Sequence, residues 1–245
     1  EVWQQMFDAA RSHIDLAQFY VANEKGSLLD GVLARLRAAG ERGVKIRFLM
    51  EEKGVGLSTP ETLTALKAIP NLELRVIPFH RLTDGIVHAK YLLVDGKEAF
   101  VGSQNFDWRA LEQIQETGLR ISDPQTVQQI QAIFDQDWQA QALLAEGKTV
   151  PKPPRQAIAS APQGNYLVAS PRDYNPSGVI DSQVALPRLL ASAKSRIRVQ
   201  VMDYAPLAWG EKGSRPFYAP IDNALRSAAA RGVQVELMVA NWNLK

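Results

Sequence analysis

Cysteine is absent from the 245 residues of the sequence. This absence excludes a disulfide-stapled scaffold, a catalytic thiolate and a zinc site with cysteine ligands. Long apolar runs are also missing, since no stretch reaches the roughly 18 residues that a membrane-spanning helix needs. The first residue is Glu1 and not methionine, which indicates a trimmed or processed chain and leaves an exported or periplasmic location open.

A strong excess of charge of either sign is missing as well. Lys and Arg number 28 against 26 Asp and Glu, so the net charge is +2, with a sequence pI near 8.8. Such a balance permits a partner that carries phosphate but does not require one. With 46% hydrophobic and 22% charged residues, the composition is that of a globular protein with one or two ordinary cores.

What the sequence does contain is an alternation of short apolar runs with longer amphipathic segments, which is typical of a layered α/β structure. Asp123 is followed by proline and predicts the start of the longest helix, because Asp caps a helix and Pro suits its first position. The predicted strands are residues 14–20, 44–50, 72–77, 91–95, 99–102 and 118–121, and the predicted helices are residues 26–39, 60–68 and 124–144. One complete domain is therefore predicted for residues 1–145.

Proline and small residues dominate the next segment, residues 146–164, which predicts a surface linker. The remainder, residues 165–245, repeats the opening of the chain. SHIDLAQFY recurs as SRIRVQVMDY, and LARLRAAGERGVKIRFLM recurs as DNALRSAAARGVQVELMV. In the second pair, four identities keep a constant separation of 189 residues: Leu36, Ala39, Arg42 and Gly43 match Leu225, Ala228, Arg231 and Gly232.

Two interpretations of this repeat are open. Any two strand–helix–strand units look alike, but ordered identities at a constant separation favour an internal duplication. The same separation puts the counterpart of His88 at about position 277, beyond Lys245. The second copy is therefore expected to be incomplete and to lack the chemistry of the first.

The first candidate site residues lie just before the predicted strand at residues 91–95 and at its end. Alternate residues of an extended segment share a face, so His88 and Lys90 should project together, about 6.6 Å apart along the backbone, a spacing that spans one phosphate. A neutral imidazole is a competent nucleophile, and the lysine charge can neutralise a phosphodiester without a metal. Asp95 has the opposite parity, so a structural role is predicted for it, such as pairing a basic side chain or capping the turn at Gly96.

A second group of polar residues follows the next predicted strand. Ser103 and Asn105 share a face, and Gly102 lets the backbone approach an anion closely. We expect Ser103 and Asn105 to donate hydrogen bonds to phosphate oxygens, and Glu116 to orient an imidazole through its second nitrogen. Each residue alone has a structural alternative, as a surface histidine, a turn or a solvated carboxylate. It is their combined order that indicates a site.

This order resembles the HKD signature of the phospholipase D superfamily, which is matched in type and spacing by His88, Lys90, Asp95, Gly102, Ser103 and Asn105. Three further segments resemble the branch that contains the mammalian lysosomal phospholipase-D-like exonucleases and the poxvirus envelope phospholipases. They are TDGIVHAK, DWRALEQIQETG and FYAPIDNALRSAAARGVQVELMVANW. The resemblance runs from about Val2 to Trp242. It implies a mixed β-sheet flanked by helices, in two similar α/β halves whose motifs meet at one site.

The resemblance also assigns roles. His88 takes the position of a nucleophile or acid, Lys90 and Asn105 bind the phosphate, and Ser103 and Glu116 support them. No metal and no other cofactor is expected.

The sequence departs from the family pattern in one respect, because a second motif is absent. Neither His13 nor His80 is followed by a lysine two residues later, so structural roles are predicted for both. A second HKD half is therefore an expected partner, supplied by a continuation of the chain or by another chain.

The function implied is cleavage of a phosphodiester through a covalent phosphohistidine, followed by hydrolysis or transfer to an alcohol. The substrate is a glycerophospholipid or a single-stranded nucleic acid, and a peripheral membrane contact stays open. The aromatic and basic residues of segment 208–220 suit base stacking and lipid contact equally, and a partly buried loop is the alternative.

Two other functions remain open. One is a catalytically silent binding or structural module. The other is a single-motif nuclease that dimerises to bring two His88 side chains together, against which the partial repeat argues.

Overall fold

The computed structural model describes residues 1–154, 164–208 and 213–241. These residues form two compact units. Unit 1 comprises residues 1–154 with short pieces at 164–167 and 176–178, and unit 2 comprises residues 168–175, 179–208 and 213–241. Part of the predicted linker, residues 155–163, lies outside the described residues.

The strands of unit 1 are β1 (His13–Gln18), β2 (Val21–Ala22), β3 (Lys45–Glu51), β4 (Leu72–Ile77), β5 (Tyr91–Val94), β6 (Glu98–Gly102), β7 (Phe106–Asp107) and β8 (Gly118–Ile121). Six of them form one sheet in the order β4-β3-β1-β5-β6-β8, and β2 pairs with β7. β1, β3 and β4 are mutually parallel, whereas β5, β6 and β8 pair antiparallel. The predicted mixed sheet is confirmed.

Helices cover both faces of this sheet, so it forms the middle layer of unit 1. The helices are α1 (Val2–Ala9), α2 (Leu28–Glu41), α3 (Pro60–Lys67), α4 (His80–Thr83), α5 (Trp108–Glu112) and α6 (Pro124–Ala145), with a 3₁₀ helix at Glu52–Leu57. On one face, Phe7 of α1 and Leu36 of α2 join the core that contains Leu92 of β5. On the opposite face, Phe134 of α6 packs edge-on against Tyr91. Even α6 lacks the apolarity that a bilayer-crossing helix needs, and so does every other helix in the described ranges.

Element boundaries differ from the predictions where a local contact decides them. The helix predicted from residue 26 begins at Leu28, because the side chain of Ser27 caps it by accepting a hydrogen bond from Leu29 N (3.2 Å). The first strand ends at Gln18, two residues early. Asp123 caps α6 as predicted, accepting from Thr126 N at 2.8 Å. The sequence reading missed α1, although its buried residues 3, 6 and 7 have helical spacing.

A polar layer lies between the sheet and α6. Arg47 donates to both carboxylate oxygens of the fully buried Asp15 (2.7 and 2.6 Å) and to Asp135 (2.8 Å). Its guanidinium also lies 4.8 Å from the ring centroid of Phe134. Asp137 differs, because within the described chain no hydrogen bond or ion pair reaches its carboxyl group. Burial raises the pKa of Asp137 to about 7.

This buried carboxyl predicts a pH-dependent stability. The pKa of Asp137 in the folded protein, about 7, exceeds its ordinary value of 3.8, so between these pH values unfolding releases a proton. Stability should fall as pH rises from 4 to 7, by at most about 4 kcal/mol. Urea unfolding at several pH values should show that Asp137→Asn lacks this decrease in the free energy of unfolding. The exposed Asp8→Asn control should keep it, and an unchanged fall in Asp137→Asn would contradict the prediction.

Unit 2 is built from β9 (Val168–Ala169), β10 (Ile180–Asp181), α7 (Ser182–Ser192), β11 (Arg196–Val201), α8 (Pro220–Ala230) and β12 (Gln234–Val239). β11 and β12 pair in parallel, with α8 as the connection between them. The core of unit 2 contains Ile197, Leu225, Ala228 and Val233.

The strand pairs β1–β3 and β11–β12 have equivalent registers. His13 pairs with Lys45 in unit 1, and Arg196 pairs with Gln234 at the corresponding positions of unit 2. An ion pair also crosses each strand pair at the same place, with its charges exchanged. Asp15 and Arg47 form it in unit 1, and Arg198 and Glu236 form it in unit 2 (2.8 Å). The sequence repeat therefore extends to backbone pairing and to cross-strand side chains.

Candidate active site

The candidate site lies at one edge of the sheet of unit 1. β5 runs antiparallel to β1, so the start of β5 lies beside the end of β1, with Tyr91 paired to Ala17. β6 ends and β8 begins at this same edge, where Gly102 pairs with Gly118. The residues before β5, after β6 and before β8 are therefore brought together by sheet topology.

His88 and Lys90 lie in the irregular segment immediately before β5, not within the strand. Lys90 Nζ is 3.0 Å from His88 Nδ1 and also donates to the carbonyl oxygen of His88 at 2.5 Å. Gly102 N donates to the carbonyl oxygen of Lys90 (3.0 Å), which ties this segment to the end of β6. Lys90 is buried, with 8% of its surface exposed. The two side chains are thus in direct contact at the sheet edge.

Burial shapes the protonation of both groups. Burial, and after it the positive charge of Lys90, lowers the pKa of His88, which favours the neutral, nucleophilic imidazole. Burial lowers the pKa of Lys90 to about 8, although the negative charge of Glu116 acts in the opposite direction. Lys90 is therefore charged at neutral pH and begins to lose its proton just above it.

Phe19, which follows β1, forms one wall of the site. Its ring centroid lies 4.6 Å from that of His88 in an edge-on contact and 5.6 Å from Lys90 Nζ. Its backbone is fixed by the 3₁₀ helix, since a Cβ at Gly54 would lie 1.7 Å from the carbonyl oxygen of Phe19. Sequence reasoning missed this residue, because an aromatic residue at a strand end carries no signal of its partner.

Ser103, which follows β6, and Glu116, which precedes β8, are hydrogen-bonded to each other. The carboxylate of Glu116 accepts a hydrogen bond from Ser103 Oγ, and Ser103 Oγ accepts one from Thr117 N (3.0 Å). Among the described residues no carboxylate hydrogen-bonds to His88. Glu116 thus faces Ser103 and acts on Lys90 through its charge, while its expected role in orienting an imidazole stays a prediction.

Gly102 and Asn105 complete the turn after β6. A Cβ at Gly102 would lie 2.0 Å from Gln104 Oε1, 2.9 Å from a ring carbon of Phe100 and 3.1 Å from the carbonyl oxygen of Thr117, so the turn leaves little room for a side chain there. The side-chain Oδ1 of Asn105 is buried without a hydrogen-bond partner among the described residues. The expected contacts of Asn105 and Ser103 with phosphate oxygens stay predictions.

Asp95 lies just beyond the other end of β5, about 17 Å along the extended chain from Lys90 and farther from His88. It begins the turn to β6 with a left-handed φ of 53°, which Asp tolerates. Its carboxylate accepts hydrogen bonds from the backbone N–H groups of residues 11, 12 and 13 (2.8–3.0 Å). Burial raises the pKa of Asp95, but these bonds outweigh it and lower the pKa to about 2. Strand length therefore separates Asp95 from the site, and its observed partners are the backbone amides of residues 11–13 and the hydroxyl of Ser12.

We expect Asp95→Asn to weaken folding without slowing the chemistry. The amide keeps one acceptor oxygen but turns an NH₂ group towards backbone N–H donors, which should cost about 1–3 kcal/mol. Thermal unfolding should show a lower Tm, and turnover per folded molecule should stay near that of the wild type. Turnover as low as that of a His88 variant, at an unchanged Tm, would contradict this prediction.

A second polar cluster flanks the site and was missed by the sequence reading. Tyr20 donates a 2.5 Å hydrogen bond to the fully buried Asp107, which also accepts two bonds from the guanidinium of Arg109 (3.2 and 2.6 Å). Burial, and after it Asp107, raises the pKa of Tyr20 to about 12. The cluster holds the end of β7 beside the turn that carries Asn105.

The other two histidines lie apart from His88. His13 begins β1 at the opposite edge, where its Nδ1 is 3.0 Å from Ser12 Oγ. His80 begins the short helix α4, with Nδ1 3.5 Å from a carboxylate oxygen of Glu52.

The aromatic and basic segment at residues 208–220 belongs to unit 2. Phe217 and Tyr218 are exposed, which does not fit a buried loop. Trp209 and Lys212, on which the stacking argument also depends, lie outside the described residues.

Comparisons with known proteins point to one family. Residues 4–138 match the family described as "Cardiolipin synthase, PLD-like domain". The chain is 30% identical over 270 residues to the 5'-3' exonuclease PLD3 of Xenopus laevis, which covers 98% of this chain and 52% of that protein. It is 31% identical over 270 residues to phospholipase D Z of Dictyostelium discoideum, and that alignment covers 99% of this chain and 62% of that protein. The chain thus spans about half the length of the curated relatives it matches.

One solved structure similar to the chain is that of NucT from Helicobacter pylori. The match has a TM-score of 0.50 at 17% identity and covers 57% of this chain and 86% of that one. At this identity the likeness shows the fold alone.

Proposed function

The chain belongs to the phospholipase D-like family, and on that premise we propose that it cleaves phosphodiesters through a phosphohistidine formed on His88. The observation that carries this proposal is the 3.0 Å contact between His88 Nδ1 and Lys90 Nζ. The His88 imidazole, whose lowered pKa favours the neutral, nucleophilic form, lies there beside the Lys90 ammonium, and the turn carrying Ser103 and Asn105 lies on the same sheet edge. These are the parts that attack on phosphorus needs.

Substrate binding would first rearrange Lys90. Its ammonium donates to the neutral imidazole and to a carbonyl oxygen, and a phosphodiester oxygen offers a stronger, charge-assisted bond. When Lys90 turns to the phosphate, Nδ1 is released and can carry the imidazole proton. The lone pair of His88 Nε2 is then free to attack.

The proposed reaction has two steps. In the first, His88 Nε2 forms a bond to phosphorus while the bond from phosphorus to the leaving oxygen breaks, and that oxygen takes a proton from a second imidazole. In the second, water or an alcohol attacks phosphorus, gives its proton to the second imidazole and releases His88. Lys90 and Asn105 hold the non-bridging oxygens throughout.

The second imidazole has to come from a second motif. Unit 2 repeats the strand–helix–strand opening of unit 1, so we propose residues 1–145 as the first phospholipase D-like half and residues 165–245 as the start of the second. A second HKD motif, in a continuation of this chain or in another chain, completes the site in this proposal.

The substrate class remains a choice between two phosphodiesters. The relatives include one named as an exonuclease and one named as a phospholipase D. The test is to incubate the whole protein, with His88→Ala beside it, with a single-stranded oligonucleotide and with phosphatidylcholine vesicles. His88-dependent release of nucleotides or of choline identifies the substrate, and turnover of neither would refute the proposed function.

A further inference from the structure

Glu51, the last residue of β3, is a fully buried carboxylate, and no cationic side chain in the described part of the chain donates a hydrogen bond to it. Its Oε2 accepts a hydrogen bond from Val87 N at 2.7 Å, and its Oε1 accepts one from Lys53 N at 3.3 Å. Burying a carboxylate costs free energy, which these backbone donors offset in part.

Strand register explains how Glu51 reaches the site. Met50 pairs with Gln18 on β1, and Ala17 pairs with Tyr91 on β5. Glu51 is therefore level with Phe19 and with the segment just before β5. From the far side of β1, its side chain crosses the end of that strand to bond the backbone at Val87, next to His88.

The segment that carries His88 has no regular structure of its own. Residues 86–90 belong to neither helix nor strand, and the backbone bond from Gly102 N to the carbonyl oxygen of Lys90 joins the end of this segment to β6. Further contacts are the ring of Phe19 on the imidazole, the bond from Lys90 Nζ to the carbonyl oxygen of His88, the burial of the Val87 side chain, and the bond from Val87 N to Glu51. The Glu51 bond is the one made to the backbone immediately ahead of the nucleophile.

From this geometry we propose that Glu51 is a positioning residue, which anchors the backbone before His88 so that the imidazole meets the substrate phosphate in line. The inference rests on the proposed function of His88. A carboxylate is suited to this task because it accepts two backbone bonds at once, from the His88 segment and from the start of the 3₁₀ helix beside Phe19.

The test compares three variants of the whole protein. Glu51→Leu fills the space but removes the acceptor, and Glu51→Gln keeps one acceptor oxygen for Val87 N. Glu41→Leu is the matched control, since Glu41 is exposed at the end of α2. Two quantities are measured: kcat and KM on the substrate that the wild type cleaves, and hydrogen exchange of the amides at residues 86–90 without substrate.

Glu51→Leu should lower kcat about 100-fold with KM changed less than about threefold, because the imidazole is misplaced while the phosphate ligands remain. Amide protection at Val87 should fall in the same variant. Glu51→Gln should recover most of both quantities, and Glu41→Leu should match the wild type. If Glu51→Leu does not fold, Glu51→Gln still decides, because its smaller loss should appear in kcat and not in KM.

Unchanged protection at Val87, or lost protection with an unchanged kcat, would overturn the positioning role. A raised KM with an unchanged kcat would overturn it too. A wild-type protein that cleaves no phosphodiester would instead refute the proposed function, and the exchange data would then still show whether Glu51 anchors the His88 segment.

Discussion

Replacing His88 with alanine should reduce turnover by at least about 1,000-fold, because the atom that attacks phosphorus is removed. The fold should survive, since His88 is exposed and lies in an irregular segment outside the sheet. Turnover and Tm, measured on the same preparation, separate these two effects. His13→Ala is the matched control, because His13 lies at the opposite edge of the sheet.

The covalent intermediate provides the stricter measurement. Acid quench of the wild-type protein during turnover should leave substrate phosphorus on a peptide that contains His88, and His88→Ala should lose this label. Label on a histidine of the second motif would exchange the roles of nucleophile and acid. Intact turnover without label on either histidine would replace the covalent mechanism by direct attack of water.

Lys90→Ala should produce the second large effect, a loss of about 100- to 1,000-fold in kcat. Negative charge on the phosphoryl oxygens grows during attack, so the lysine should stabilise the transition state more than the bound substrate. Lys97→Ala, which removes an exposed lysine from the turn after β5, is the control with the same change of charge. A change in KM alone would make Lys90 a general binding residue and would contradict the proposed geometry.

The pH dependence of kcat/KM is an independent test of the role of Lys90. Because burial lowers the pKa of Lys90 to about 8, its charge is present below this pH and is lost as pH rises through it. The kcat/KM of the wild type, which reports the free enzyme, should therefore decline above about pH 8. In Lys90→Arg the guanidinium stays charged, so this decline should move to higher pH. A basic limb at the same pH in both proteins would assign it to another group.

The central strands and the long helices of unit 1 could be predicted because their signals are local. β4 and β8 match the predicted ranges, and α6 extends its range by one residue, since alternating or helical apolar spacing and a capping residue decide such elements. Boundaries were missed at the end of β1, which stops at Gln18, and at the start of α2, which the side chain of Ser27 caps.

The repeat was also readable from sequence, for a physical reason. Gly43 and Gly232 both have a φ of 89°, a conformation that other residues rarely adopt, so the connection from helix to strand keeps glycine in both copies. The pairing of the strands that follow these glycines required the structure.

By itself, the sequence determined the α/β class, the membership of His88, Lys90, Ser103 and Asn105 in one motif, and the resemblance to a family, because each depends on residue type and spacing along the chain. Tertiary structure alone decided which side chains meet across strands. It placed Asp95 at the far end of β5, turned Glu116 towards Ser103, and brought Phe19 and Glu51 to the His88 segment. The reason is that parallel and antiparallel neighbours in a sheet join residues dozens of positions apart, and no local pattern records their register.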